Sequence, residues 1–108
     1  MPVYNKLIRD KIPEVIAKNG QQATIRTLND DEFTVELEKK LQEEVTEYLQ
    51  DKSVGELADI LEVVHALGEL HGQSAGQLGA LRKSKAAQRG AFRKKLFLVS
   101  VNSKVETF

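Results

Sequence analysis

The sequence predicts a mainly α-helical bundle with a small two-stranded β ribbon, and three observations predict it. Phe33, Leu37, Leu41, Val45, Tyr48 and Leu49 recur at helical spacing, as one apolar stripe. Ser53 with Glu56, and Ser74 with Gln77, have the form of boxes that open helices. Period-two alternation appears in two short segments, "QATIRTLN" and "KLFLVSV". At 108 residues the chain has the length of one domain, read here as residues 1 to 108.

In chain order, residues 10 to 19 read as a short helix, with Asp10 as N-cap, Pro13 in the first turn and Gly20 as the stop. Residues 24 to 28 follow as a strand. Asp30 or Asp31 then caps the long helix that carries the apolar stripe to about Gln50. "DKSVGE" interrupts it, and Ser53 opens a second long helix to His71, ended by Gly72. Leu57, Ile60, Leu61, Val63, Val64, Leu67 and Leu70 nearly encircle this helix, so it is expected to be covered by other helices or by a second subunit. Ser74 opens a third helix to about Gln88, weakened by Gly76 and Gly79. "KLFLVSV" supplies the second strand, paired with residues 24 to 28.

Composition narrows the function. Hydrophobic residues make up 41% and charged residues 30%, the balance of a soluble globular protein. With no cysteine, disulfides, thiolate catalysis and cysteine zinc sites are excluded. His65 and His71 stand six apart, which is not the spacing of a helical zinc pair, and no glycine-rich phosphate loop is present. No apolar run approaches the roughly 20 residues that span a bilayer, and "MPVYNKLIRDKIPEVI" has no signal-peptide core, so a cytoplasmic protein off the membrane is expected. The formal net charge of zero conceals a division. Residues 30 to 69 hold thirteen acids against Lys39, Lys40 and Lys52, and residues 70 to 108 hold eight bases against Glu106.

The acids are arranged. Glu44 and Glu47 stand three apart, as do Glu56 and Asp59. At about 100° per residue, Glu44 falls inside the apolar stripe and Glu47 at its edge. On the next helix Glu56 falls between Leu67 and Val63, and Asp59 beside Leu70, while Glu62 lies further round. In an antiparallel hairpin centred between Asp51 and Lys52, Glu47 faces Glu56 and Glu44 faces Asp59. Carboxylates converging in a partly dry groove repel one another and lose hydration. Protonation or a cation must relieve them, and a hard divalent cation with oxygen ligands, Mg²⁺, is the natural counter-ion. A solvated acidic face is the plainer alternative. The segment "RKSKAAQRGAFRKKLF" carries seven bases that suit a phosphate-rich small molecule better than a nucleic acid, which the acidic helices repel.

"EEVTEYLQDKSVGELAD" resembles the Glu-x-x-Glu and Glu-x-x-Asp helices of the MazG-like, all-α nucleoside triphosphate pyrophosphohydrolases, a superfamily that includes phosphoribosyl-ATP pyrophosphohydrolases. "YNKLIRDKIPEVI" and "KAAQRGAFRKKLFL" are similar to the ends of a small single-domain subgroup. The resemblance implies an all-α helical bundle, completed as a homodimer or larger homo-oligomer. It also implies Mg²⁺-dependent hydrolysis, with Mn²⁺ as a substitute, between the α and β phosphates of a nucleotide. Carried onto this chain, the metal ligands are Glu44, Glu47, Glu56 and Asp59, with Glu43 adjacent. Glu44 and Glu47 are the catalytic candidates, through a carboxylate acting as general base toward water. Lys83, Lys85, Arg89, Lys94, Arg9 and Lys11 are the candidates for binding the nucleotide's phosphates. Eight residues separate Glu47 from Glu56, fewer than is usual in the family, so the loop that shapes a base pocket is nearly absent. Two other readings stay open: a noncatalytic helical interaction or oligomerisation module, and a nucleic-acid binder using residues 82 to 95.

Overall fold

The computed structural model describes residues 2 to 102 and is mainly α, with four helices in the order α1 (Ile12–Lys18), α2 (Asp30–Asp51), α3 (Val54–Leu70) and α4 (Ala75–Arg89). The cap of α2 is Asn29, one residue before the expected aspartates. Its side chain accepts from the Glu32 amide at 2.8 Å, while Glu32 accepts from the Asn29 amide at 3.2 Å. Arg26 donates to both Glu32 oxygens, at 3.2 and 2.9 Å, and this pairing holds the Glu32 carboxyl below its ordinary range. Asp30 and Asp31 instead occupy the first turn, where the helix dipole favours negative charge. Removing the cap in Asn29→Ala is expected to cost about 1 kcal/mol, read as a lower midpoint in urea with unchanged slope.

Two residues, Lys52 and Ser53, join α2 to α3, a connection short enough to lay the helices antiparallel. Lys52 makes the turn in the left-handed region at φ 56°, its amide donating to the Tyr48 carbonyl at 2.7 Å. Ser53 accepts from the Glu56 amide at 3.4 Å, so the expected cap is present, but Glu56 does not return a bond to the Ser53 amide. Its carboxylate turns toward α2 instead. At the far end α3 stops at His71 and Gly72, which takes φ 76°. Ser74 and Gln77 form a complete capping box, enough to start α4 despite Gly76 and Gly79. Gly68 lets α4 approach closely: a Cβ built there meets Leu78 Cδ2 at 3.3 Å.

The β ribbon does not form. Residues 24 to 28 and 95 to 101 carry no strand, and Ile25, Leu96, Phe97 and Val99 are exposed. A two-stranded ribbon lacking a packed face is marginal in water, and these segments find no such face. The first helix begins at Ile12 rather than Asp10, because Pro13 sets the first turn and Lys11 occupies the cap position.

The single chain is incompletely covered. Leu37 and Val63, between α2 and α3, are its only buried apolar residues among those described. The radius of gyration is 18.6 Å, against about 13 Å for a compact domain of this length. One side of α3 leaves Val54, Leu57 and Leu61 exposed at i, i+3 and i+7. Among the described residues no helix is long and apolar enough to cross a membrane.

Candidate metal centre

The antiparallel register brings the acidic residues together. Oxygens of Glu44, Glu56 and Asp59 lie within 4.8 Å of one another, as do oxygens of Glu43, Glu44 and Glu47. Among the causes acting on Glu56, Glu47 opposes a rise in pKa that burial and Asp59 produce. Glu44 therefore joins two carboxylate triads, one along α2 and one spanning to α3.

Glu44 is unusual among them because it is 6% exposed, in a protein with very little buried surface. Its Oε1 lies 3.3 Å from Lys40 Nζ. Its Oε2 is buried without a partner, as is Oε2 of Glu56. Burial raises the Glu44 pKa first of all; Lys40 opposes the rise and Glu47 adds to it. The Glu56 pKa is also raised, first by desolvation, then by Asp59. Glu44 is thus held where its charge is disfavoured, with one oxygen pointing at no donor. Such an orphan needs an explanation, and a cation supplies one. The donor set is all oxygen and all carboxylate, which suits Mg²⁺ or Mn²⁺ rather than a soft metal.

Basic side chains lie among these acids. Arg9 Nη2 donates to Asp59 Oδ1 at 2.7 Å. Lys6 Nζ lies 3.6 Å from Glu43, and Lys40 Nζ lies 3.4 Å from the same oxygen. With Ile8, Ile12, Glu44 and Asp59 they line an open groove of about 240 Å³.

The phosphate candidates divide. Arg9 stands in the groove. Lys11 is exposed at the N-terminal cap of α1 and does not line it. Lys83, Lys85, Arg89 and Lys94 are exposed, make no ion pair among the described residues and do not line the groove. Lys6 and Lys40 were missed by sequence reasoning. The signal for Lys40 was its place one helical turn before Glu44 on the same face. For Lys6 there was none, since a segment without periodicity does not announce where it returns.

Comparison with known families finds no match, and no solved structure matches the chain. A curated relative, an uncharacterized protein of Mycolicibacterium smegmatis, is 52% identical over 42 residues, which is 39% of this chain and 43% of the relative. The matched stretch spans under half the length of that relative.

Proposed function

We propose that the chain is a Mg²⁺-dependent nucleotide pyrophosphohydrolase, cleaving between the α and β phosphates to leave a monophosphate and pyrophosphate. The observation that carries this reading is the buried, unpartnered Oε2 of Glu44 between two carboxylate triads. An acidic cluster on a wet helix face needs no ligand, whereas a carboxylate desolvated among its like does.

Glu44, Glu47, Glu56 and Asp59 hold the cation, and Glu43 supports them from the adjacent turn. When bound, the ion supplies neutralisation of phosphate charge and a water of lowered pKa. The chain's own residues do the rest. A carboxylate beside the attacking water is suited to accept its proton as general base, and Glu44 and Glu47 are the candidates. The resemblance of the two acidic helices to the MazG-like enzymes supports the same chemistry.

The working unit is a homodimer or larger. The exposed apolar side of α3 and the expanded radius of the single chain support this. A noncatalytic oligomerisation module shares that feature, and magnesium separates the two.

The test is a panel of nucleoside triphosphates and phosphoribosyl-ATP with Mg²⁺, scored for released pyrophosphate, beside a thermal melt with and without the ion. The expected outcome is turnover of at least one nucleotide and a melting point raised by Mg²⁺. Glu47→Gln should lower the rate by about 10²- to 10⁴-fold, the contribution of a general base. A native protein with no turnover and no magnesium-dependent melt is the interaction module.

A further inference from the structure

We propose that Lys6 and Arg9 are exchangeable counter-ions, which neutralise the carboxylates until a divalent cation binds and then, beside Lys40, grip the oxyanions of a phosphoanhydride in the same groove. The inference rests on the metal reading of the acidic cluster. It adds a phosphate site formed by the N-terminal segment and α2 rather than by the basic stretch near the C-terminus.

Four contacts carry it. Arg9 is on Asp59 at 2.7 Å, Lys40 is on Glu44 at 3.3 Å and on Glu43 at 3.4 Å, and Lys6 is on Glu43 at 3.6 Å. These carboxylates hold or border the proposed metal: Arg9 occupies oxygen of a ligand, Asp59, and Lys6 adds positive charge beside it through Glu43. The Arg9 and Asp59 side chains are both about half exposed, and Lys6 is exposed as well. Pairs of that kind are weak and screened, and they open readily.

Once released, Arg9 and Lys6 remain with Lys40, which is less exposed and stays between Glu43 and Glu44, around a groove large enough for a diphosphate, with Ile8 and Ile12 as its apolar wall. A guanidinium freed from one carboxylate has its planar fork available to a phosphate, the other partner that its geometry fits. Two consequences follow by linkage. The basic side chains oppose binding of the ion when no anion is present. The ion, by displacing them, favours binding of the anion.

The experiment measures Mn²⁺ binding by the full chain from the electron paramagnetic resonance signal of the free ion, for native protein, Arg9→Gln and Lys6→Gln. Methylene diphosphonate, added as its Mn²⁺ complex to metal-saturated protein, then reports the anion site. Arg9→Gln is expected to bind Mn²⁺ about three- to tenfold more tightly than native protein and to bind the diphosphonate about tenfold more weakly. Lys6→Gln moves both affinities in the same directions and stands in should Arg9→Gln fold poorly. Native Mn²⁺ binding with unchanged or weaker affinity in both variants overturns the exchange and leaves the metal site standing. No Mn²⁺ binding by native protein or by either variant removes the metal reading and this inference with it.

Discussion

Glu44→Gln raises the melting temperature of the metal-free protein and abolishes its stabilisation by Mg²⁺. Both effects have one cause. Glu44 is buried to 6% exposure, is held at one oxygen by Lys40 and is unpartnered at the other. Its pKa lies above the ordinary 4.5, mainly through desolvation. A raised folded-state pKa means that the native state binds the proton more tightly than the unfolded chain does. Stability is then greatest below the ordinary carboxyl range and falls as pH rises through the elevated value. Once Glu44 is ionised the metal-free protein carries the cost of its buried charge, which an amide of the same shape does not.

The expected gain is about 1–2 kcal/mol, the scale for an unsatisfied buried polar group, or several degrees in a chain of this size. The variant should also have a flatter stability profile as pH rises above about 4.5. Magnesium acts oppositely on the native protein, stabilising it by mass action, and has no comparable site in the variant. Calorimetric melts across pH, with and without Mg²⁺, test all three effects. A lower melting point for the metal-free variant would show that the Lys40 pair outweighs the burial of charge, and the site would need no cation.

Leu57→Asp with Leu61→Asp is expected to convert the proposed oligomer to monomer. Val54, Leu57 and Leu61 form an exposed stripe along α3, while the chain buries two apolar side chains of its own among those described. In a two-fold assembly the same stripe appears on both sides of the contact, so each substitution acts twice. Burying half-exposed leucines contributes about 1 kcal/mol each, and a desolvated aspartate adds a cost of its own. Association therefore weakens by at least about 4 kcal/mol, or roughly a thousandfold. Sedimentation velocity at micromolar concentration measures this directly. A native chain that already sediments as a monomer excludes this face as an interface.

Much of the centre was legible because it is built from local rules. Equal spacing in two helices joined by a two-residue turn brings Glu44 to both Glu56 and Asp59 across the hairpin, with Glu43 and Glu47 beside it on α2. Burial of Glu44 was legible for a similar reason, since its angle on the wheel falls among Leu37, Leu41 and Tyr48. The capping signals at Ser53 and Ser74 were equally local. Glu56 shows where locality ends. Its spacing from Ser53 predicts a reciprocal cap, but the same side chain is drawn toward α2, and the return bond is not made.

The basic residues followed the opposite course. Sequence reasoning chose the dense run near the C-terminus because charge density is what a sequence displays. The groove holds Arg9, which sequence reasoning also named, with Lys6 and Lys40, which it did not; Lys6 and Arg9 come from a segment with no periodic pattern. The two strand-like segments misled in the same way, since alternation describes a face and does not supply a partner for it.

The amino-acid sequence by itself determined the four helices, the caps at Ser53 and Ser74 and the convergence of acids from α2 and α3, because each depends on residues a few positions apart or on a turn too short to permit another register. Only the tertiary structure decided which positive charges answer those acids and that no ribbon forms. The Arg9 to Asp59 contact joins residues fifty positions apart, and no short-range pattern encodes the path by which the N-terminal segment returns to α3.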